Sequence, residues 1–383
     1  MISRNFLGNT YPIKKLGDIA EFLDSRRKPV KENERVIGPY PYYGANGQQG
    51  WINDFLFDEE LILLAEDGGH FGNPDRGVAY KISGKTWVNN HAHVIKPKKG
   101  VDLDYLCRVL ENYDLTPWVT GTTRGKLTKG GAAEILIPLP PLSQQRRIAS
   151  ILDKADELRQ KRQQAIEKLD QLLQATFIDM FGDPVSNPNG WDLKAVGEVS
   201  ESKLGKMLDK KKQSSEKDQY KYLRNANVQW FKFDLSDLFE MEFNEKDRKN
   251  CELKFGDILV CEGGEPGRAA IWKNDLENCF FQKALHRVRL NTSQILPEYF
   301  VWLFWFYAKN GGFDDHITVA TIAHLTGIKM KAMQIPIPPI TLQEEFQKKV
   351  NEIEVLKTKH ENSSKLVENL FISLQNQAFS GNL

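Results

Sequence analysis

The chain has 383 residues, 40% of them hydrophobic and 27% charged, so it is long enough for two or three domains with their own cores. The formal net charge is only +1, so bulk charge does not indicate a nucleic-acid partner and local patches must carry any such interaction. Residues 1–10 contain no apolar signal core, and no apolar run approaches the ~20 residues of a membrane span.

The cysteines indicate a reducing compartment. Cys107, Cys251, Cys261 and Cys279 are neither closely paired nor at zinc-site spacings. We therefore expect free thiols and a cytoplasmic protein. Binding of a metal by Cys251, Cys261, Cys279 and His286 is a minor alternative, and we predict neither a metal nor a cofactor.

The chain contains an internal repeat with an offset of 198 residues. Residues 135–148 and 333–346 share a Pro-x-Pro-Pro motif, and each is followed by a long charged segment with helical periodicity. The matched residues are Pro138, Pro140, Pro141 and Gln145 in the first copy and Pro336, Pro338, Pro339 and Gln343 in the second. Upstream, Leu127-Thr128 matches Leu325-Thr326. The repeat predicts two copies of one unit, each a globular domain followed by a helix.

In chain order, we predict a first globular domain (1–142), a first long helix (143–180), a linker (181–190), a second globular domain (191–340) and a second long helix (341–379). Short β-rich runs separated by Gly, Pro and Asn predict mixed sheets, hence an α+β fold. Ser143 and Thr341 are the expected N-caps, the latter with Glu344 in a capping box. Gly182 and Gly381 are the expected stops of the two helices.

Both long helices have heptad patterns typical of an antiparallel coiled coil. The first a-type series is Ile148, Ala155, Arg162, Leu169 and Thr176, and the d-type series is Ile151, Leu158, Ala165 and Leu172. The second a-type series is Phe346, Ile353, His360, Val367 and Leu374, with Leu356, Ser363 and Leu370 at d-type positions. Arg162 and His360 are expected to meet near the middle and to set the register, or to extend outward from a tolerant layer.

Three shorter features have competing interpretations. Residues 299–307 are highly aromatic but too short for a membrane span, and we expect a buried helix. Asn89, His91 and His93 alternate along a predicted strand, which suggests a metal site, a DNA contact or, as we favour, a structural hydrogen-bond network. Gly68-Gly69 and Gly263-Gly264 are expected in hairpin connections, since neither pair continues into a phosphate-binding motif.

The residues now support a resemblance to a known family. The chain resembles the specificity (S) subunit of type I restriction–modification enzymes across nearly its whole length. The motifs that carry the resemblance are residues 38–47, 64–69, 87–94, 121–128, 255–260 and 264–268, together with both Pro-x-Pro-Pro boundaries. One departure is that residues 121–124 have no close copy in the second domain, which has Val-Ala-Thr-Ile at 319–322.

The resemblance implies two target recognition domains in a pseudo-two-fold repeat, connected by two long antiparallel coiled-coil helices. Each domain is then expected to read half of a bipartite, asymmetric site in double-stranded DNA, with the helices as spacer. The implied partners are two adenine-N6 methyltransferase subunits and motor/endonuclease subunits, with no membrane. No Asp/Asn-Pro-Pro-aromatic tetrad is present, so we expect a non-catalytic subunit.

The candidate DNA-binding residues are basic clusters for phosphates and short polar or Arg side chains for base edges. In the first domain they are Arg26, Arg27, Lys28, Tyr43, Asn46, Thr122, Thr123 and Arg124. In the second domain they are Lys203, Lys206, Lys210, Lys211, Arg224, Asn225, Asn227, Arg268 and Lys283. Two alternatives remain: a scaffold protein whose domains bind other proteins, and a hydrolase that uses the Gly-rich loops with His91 and His93.

Overall fold

The computed structural model describes residues 11–71, 76–111, 113–121, 125–207, 219–316, 318–319 and 323–383. The chain divides into two compact units. The first unit comprises Met1–Gln164 with Glu361–Leu383, and the second comprises Ala165–His360. Each unit combines mixed sheets with helices, so the predicted α+β class is confirmed.

The first unit is built on two four-stranded sheets. Its strands are β1 (Ile13–Lys15), β2 (Ala20–Phe22), β3 (Tyr40–Gly44), β4 (Gly47–Ile52), β5 (Phe57–Asp58), β6 (Leu61–Ala65), β7 (Ala79–Ile82), β8 (Lys85–Val88), β9 (Ala92–Pro97), β10 (Val119–Thr120), β11 (Lys126–Leu127) and β12 (Leu136–Pro138). Its shorter helices are α1 (Leu16–Ile19), α2 (Leu103–Glu111) and α3 (Lys129–Ala133). The sheet orders are β2-β9-β6-β7 and β4-β3-β8-β5, in which only β3 and β8 pair in parallel among the described strands.

The two long helices follow the globular parts. They are α4 (Leu142–Phe181) and α9 (Ile340–Ser380), of 40 and 41 residues. The remaining helices, all in the second unit, are α5 (Val196–Val199), α6 (Glu245–Asn250), α7 (Pro297–Asn310) and α8 (Gly327–Ala332).

The second unit repeats one sheet order of the first unit completely and three of the four strands of the other. Its strands are β13 (Leu193–Ala195), β14 (Ser200–Leu204), β15 (Gln219–Leu223), β16 (Val228–Gln229), β17 (Lys232–Phe233), β18 (Phe239–Glu242), β19 (Ile258–Cys261), β20 (Ala269–Ile271), β21 (Phe280–Phe281), β22 (Leu285–Leu290), β23 (Thr318–Val319), β24 (Ala323–His324) and β25 (Gln334–Pro336). The order β14-β22-β19-β20 corresponds to β2-β9-β6-β7, and β18-β15-β21 corresponds to β4-β3-β8. β15 and β21 pair in parallel, as β3 and β8 do.

A two-stranded hairpin occupies the same place in both units. β10 pairs with β11 in the first unit, and β23 pairs with β24 in the second. These hairpins contain the segments that show no sequence match, residues 121–124 and 319–322. Residues 122–124 and 320–322, which lie between the paired strands, are outside the described residues.

The long helices begin directly after their proline motifs. Pro141 accepts the first helical hydrogen bonds of α4, and Pro339 accepts those of α9. Ser143 and Thr341 therefore lie inside the helices, and the prediction that they are N-caps is wrong. The predicted stops are confirmed, because Gly182 and Gly381 adopt φ of +78° and +86°, a left-handed conformation that glycine adopts without strain.

Within each unit the long helices pair antiparallel. In the first unit, the side-chain amide of Gln144 donates to the carbonyl of Leu383 at 2.9 Å, and Arg159 binds Glu368 at 3.2 Å. From Gln144 to Arg159 the chain advances 15 residues along α4, while the residues that they contact go back 15 positions, from Leu383 to Glu368. The two segments therefore run antiparallel. In the second unit, Asp170 binds Lys357 and the ring of Phe181 packs 5.3 Å from that of Phe346, again antiparallel.

The a-type series of the predicted coiled coil faces inward, whereas the d-type series is partly wrong. Ile148, Phe346 and Ile353 are buried as expected. The d-type leucines Leu158, Leu172, Leu356 and Leu370 are exposed, with 44% to 56% of their surface accessible. The helix ends pack into the domain cores through other residues, including Leu152, Leu173, Phe177, Phe371 and Ala378.

Arg162 and His360 are both half-buried. Arg162 Nε and His360 Nδ1 are buried without a hydrogen-bond partner in the described part of the chain. Their proposed role in setting the register stays a prediction.

In both cores a buried tyrosine is hydrogen-bonded to the strand that precedes the long helix. Tyr105 donates to the carbonyl of Pro138 at 2.6 Å, and Tyr299 donates to that of Pro336 at 2.9 Å. Helix α7, which carries the aromatic run, is buried as predicted. Among the described residues, no helix is both long enough and apolar enough to cross a membrane.

Candidate nucleic-acid interface

Each unit brings two loop elements to the end of one buried strand. In the first unit, the carbonyl of Glu66, just after β6, accepts from Leu127 of the hairpin at 2.7 Å, and its N–H donates to the carbonyl of His91 at 2.8 Å. In the second unit, Glu262 makes the same bonds with Leu325 and Ala284, at 2.7 and 2.9 Å. The hairpin and the turn before β9 or β22 are therefore held side by side in both units.

A polar cleft opens beside this point in the first unit. Its volume is about 400 Å³, and its walls include Lys31, Asn46, Gln49, Asn90 and His91. Asn46, in the connection between β3 and β4, donates to the carbonyl of Gly68 at 2.9 Å. Amide, imidazole and ammonium groups at one opening offer the donors and acceptors that base edges and phosphates require.

The basic cluster at residues 26–28 divides into three different environments. Arg26 binds Glu59 at 3.1 Å and lies over the ring of Phe57. Arg27 is largely buried and donates to the carbonyl of Ala92 at 2.6 Å. Lys28 is exposed and makes no ion pair with any described residue. Of the three cations, Lys28 is therefore the one available to a phosphate without breaking an existing contact.

Arg27 also neutralises an internal acidic cluster. Asp24, Glu66 and His93 place ligand atoms within 4.8 Å of one another, which is compatible with a metal ion. The guanidinium of Arg27 lies 2.7 Å from Glu66 and 3.4 Å from Asp24, so a cation already compensates these carboxylates. Burial raises the pKa of Asp24, but hydrogen bonds from His93 and Val94 and the nearby Arg27 outweigh it and hold that pKa below its usual value.

The predicted grouping of Asn89, His91 and His93 on one strand face is wrong in part. Strand β9 begins at Ala92, so Asn89 and His91 belong to the preceding turn. His93 is buried between Asp24 and the carbonyl of Leu127, at 2.7 and 2.8 Å, which is the structural network we favoured. His91 instead lines the cleft.

The remaining candidates of the first unit are less informative. Tyr43 is half-buried, and its ring packs 5.9 Å from that of Tyr80. Thr122, Thr123 and Arg124 lie outside the described residues, and their role stays a prediction.

The cations of the second unit are mostly engaged within the domain. Lys206 donates to Asp247 at 2.7 Å, and Arg224 binds Asp237 at 2.7 Å. Lys203 binds Glu201 at 3.3 Å and stays exposed. Arg268 donates to the carbonyl of Asn225 at 2.9 Å, with Glu265 3.3 Å away. Lys210 and Lys211 lie outside the described residues.

Asn225 and Asn227, the amide candidates of the second unit, lie in different environments. Asn227 is buried and donates to the carbonyls of Asp234 and Asp237, both at 2.9 Å, which is a structural arrangement. Asn225 donates to the carbonyl of Gly263 at 2.9 Å, as Asn46 does to Gly68, while its Oδ1 is buried without a partner among the described residues. Lys283 is exposed in the turn before β22 and forms no ion pair within the described chain.

The minor metal alternative is not supported by the described residues. Cys251, Cys261, Cys279 and His286 do not form a cluster with ligand atoms close enough to share an ion. The four cysteines of the chain are free thiols.

Sequence reasoning did not select the cleft residues Lys31, Gln49 and Asn90. Lys31 and Asn90 lie outside strands and Gln49 lies in β4, and none of the three stood out in a periodic pattern. A usable signal existed in the equivalence of His93 with His286, because it also aligns Asn90 and His91 with Lys283 and Ala284.

The comparison with known families decides the identity. The family model of the type I restriction modification DNA specificity domain matches twice, over residues 9–168 and 188–367. The chain belongs to this family. It is therefore a specificity subunit, the non-catalytic component of type I restriction–modification systems.

One relative and two solved structures match this specificity subunit over nearly its whole length, and a further relative matches about a third of it. A putative type I restriction enzyme specificity subunit of Haemophilus influenzae is 28% identical over 354 residues, covering 91% of this chain and 89% of the relative. The EcoprrI specificity subunit of Escherichia coli is 29% identical over 119 residues, covering 31% of this chain and 28% of the relative. The crystal structure of the S subunit from M. genitalium has a TM-score of 0.62 at 13% identity, with 99% and 98% of the two chains covered. A structure from work on complex assembly and conformational transition of the type I R-M system has a TM-score of 0.57 at 16% identity, with 97% and 98% covered. These structural likenesses concern the fold.

Proposed function

We propose that this specificity subunit reads a bipartite, asymmetric site in double-stranded DNA, one half per domain, in the cytoplasm. The observation that carries the proposal is that the two domains share a backbone arrangement, whereas the side chains of their loops differ. Glu66 and Glu262 make matching backbone bonds, yet the loops that they hold differ in sequence. Two domains of one frame with different loops suit two different half-sites, because base edges are read by side chains.

Phosphate contacts are assigned to exposed cations that have no internal partner in the described chain. Lys28 and Lys283 meet this condition, one in each domain. Because the net charge is only +1, affinity for DNA rests on such local groups and decreases with added salt.

The exposed leucines of the long helices form two equivalent docking faces. Leu158 and Leu356 are related by the 198-residue offset, and so are Leu172 and Leu370. Large apolar side chains repeated at equivalent positions suit two copies of one partner. We assign these faces to two adenine-N6 methyltransferase subunits, with motor/endonuclease subunits joining that assembly for restriction.

The long helices serve as the spacer in this proposal. A 40-residue helix extends for roughly 60 Å at 1.5 Å per residue. Half-sites one turn of duplex apart are separated by about 34 Å, which such a rod can accommodate.

The test is adenine-methylation mapping of a host genome that expresses the neighbouring methyltransferase with and without this chain. The expected result is a new two-part motif, with one methylated adenine in each half, only when the chain is present. Exchange of one domain for that of a relative is expected to change one half of the motif. Absence of any motif, with an intact complex, would contradict the proposal and favour a protein-binding scaffold.

A further inference from the structure

The turn before β9 and the turn before β22 occupy the same place in the two domains. The N–H of Asn89 donates to the carbonyl of Tyr43 at 3.0 Å, and the N–H of Gln282 donates to that of Leu223 at 3.1 Å. At the other end of each turn, His91 and Ala284 accept from Glu66 and Glu262. Residues 89–91 and 282–284 therefore occupy equivalent positions, although Ala284 has a φ of +80° that His91 does not share, and one turn reads Asn-Asn-His and the other Gln-Lys-Ala.

Within the first turn, Asn89 holds the backbone and the next two residues face outward. The side chain of Asn89 is buried, donates to Gln49 at 3.0 Å and accepts from the N–H of His91 at 2.8 Å. Asn90 is exposed and His91 is partly exposed, and both line the cleft. The turn thus presents an amide and an imidazole on a fixed support.

Asp67 fixes the orientation of the His91 ring. His91 Nδ1 lies 2.5 Å from Asp67 Oδ1, and a carboxylate accepts, so Nδ1 is the donor. His91 Nε2 then remains as the second polar atom of the ring, without a hydrogen-bond partner among the described residues. An oriented imidazole with one unoccupied nitrogen is suited to reading a base edge.

The second domain lacks both members of this pair. The isolated bridges Asp67–Lys126 and Gly263–His324 align Asp67 with Gly263, and the turn aligns His91 with Ala284. Loss of both partners together indicates that the pair is not required by the shared frame. In the second domain, the outward residue of the turn is Lys283.

We propose that His91 is a specificity-determining residue for the half-site read by the first domain, and that Asp67 is its positioning residue. The inference rests on the proposed function and deepens it. The partner is a base edge of duplex DNA, with Asn46 and Asn90 as neighbouring amides in the wall of the cleft, which also contains Lys31, paired with Glu34 at 3.4 Å.

The experiment uses the full chain with its methyltransferase and compares His91→Ala and His91→Asn with the natural sequence by adenine-methylation mapping. We expect one base position in the first-domain half to relax, with about tenfold or greater loss of discrimination, while the other half stays unchanged. His91→Asn retains a polar side chain and is expected to shift the preference at that position instead of abolishing it.

Asp67 has its own readout. Asp67→Ala is expected to relax the same base position as His91→Ala, and the double variant is expected to be no more relaxed than either single variant. Asp67→Asn keeps a side-chain oxygen that accepts from Nδ1 and is expected to restore part of the discrimination. A merely structural Asp67 would instead lower the amount of complex without changing the motif.

Two controls separate the failure of this inference from the failure of the proposed function. Lys81→Ala removes an exposed cation that pairs with Asp104 elsewhere on the first domain, and it is expected to leave the motif unchanged. Ala284→His is expected to alter only the second half. If the natural chain directs no motif, the proposed function fails. If it does, and folded His91→Ala and His91→Asn both keep the first half intact, this inference alone is overturned.

Discussion

Arg159 of α4 and Glu368 of α9 form an ion pair in the first unit, with Nη1 3.2 Å from Oε1. The second unit contains the image of this pair with the helices exchanged, since Lys357 of α9 lies 2.6 Å from Asp170 of α4. Arg159 corresponds to Lys357, and Asp170 to Glu368, by the 198-residue offset. One pairing of the repeat is thus used twice, once within each unit.

Charge reversal tests this pairing. Arg159→Glu is expected to lower the free energy of unfolding by about 1 kcal/mol, because it replaces attraction by repulsion and removes a guanidinium from the face of Phe371. Adding Glu368→Lys is expected to recover about half of that loss. Urea unfolding of the two single variants and the double variant gives the coupling energy. The more exposed pair Glu157–Lys161 on the same helix is the control, and strictly additive effects at Arg159 and Glu368 would contradict the prediction.

Gln145 and Gln343 connect the starts of the long helices to their domains by hydrogen bonds. Gln145 accepts from the N–H of Asp102 and donates to the carbonyl of Pro140, both at 2.8 Å. Gln145→Ala leaves these buried groups unpaired and is expected to cost about 2–4 kcal/mol of unfolding free energy. Thermal or urea unfolding measures the loss, with Gln164→Ala at an exposed position of α4 as control. Equal small effects of both substitutions would show that water replaces the lost bonds.

The stability of the second unit is expected to fall in mild acid because of His286. Burial lowers the pKa of His286 below its ordinary value of 6.5, the opposing pull of Glu262 being insufficient and Lys331 adding to the decrease. Below pH 6.5 the unfolded chain gains a proton that the folded chain resists, so stability is present above that pH and is lost as pH falls. The slope is at most about 1.4 kcal/mol per pH unit for one proton.

The pH dependence of the melting temperature between pH 5 and 8 measures this effect. His286→Gln is expected to flatten the acid side of the profile, while His316→Gln in the same unit serves as the control. An unchanged profile in His286→Gln would assign the acid sensitivity to other groups.

The thiols are expected to be unreactive in the folded chain. Burial raises the pKa of Cys107 and of Cys279 to about 12 and that of Cys261 to about 11, and it also raises the pKa of Cys251. Little thiolate is then present at neutral pH, and Cys251, Cys261 and Cys279 are buried whereas Cys107 is partly exposed. Mass spectrometry after iodoacetamide treatment at pH 8 is expected to show labelling only after denaturation. Rapid labelling of the native protein at Cys261 or Cys279 would contradict the described burial.

The spacer proposal makes a geometric prediction. Insertion of one heptad into each long helix, after Gln164 and after His360, adds about 10 Å to the rod. The spacer of the methylated motif is expected to lengthen, or methylation to be lost, while each half-site preference survives. Methylation mapping reads both quantities. An unchanged spacer in an active complex would show that the helices do not set the distance.

Much of the fold was predictable because the repeat places glycine and proline at equivalent positions where the backbone geometry requires them. Gly182 and Gly381 must be left-handed, and the proline motifs mark helix starts, so these features follow from local physics. The exposure of Leu158 and Leu172 did not follow, because a heptad pattern shows which helix positions are apolar and not what covers them. Neither did the internal ion pairs of Arg27 and Lys206, which depend on carboxylates brought close by tertiary structure.

The site was less predictable than the fold for the same reason. Asn46 and Asn225 were selected as polar turn residues, and each donates to a glycine carbonyl in its own domain. Asn227 has the same residue type two positions later, yet tertiary contacts bury it completely. Residue type marks a candidate, and only the surrounding backbone decides whether its polar atoms face inward or outward.

The composition of the first unit has a consequence for synthesis on the ribosome. Phe371, Ala378 and Phe379 near the end of the chain belong to the same core as Leu106 and Ile148. The first unit therefore cannot complete its core until residues 371–379, which follow the whole second unit along the chain, have been synthesised. A chain cut before Phe371 would then have an incomplete core in its first unit, although that unit is synthesised first.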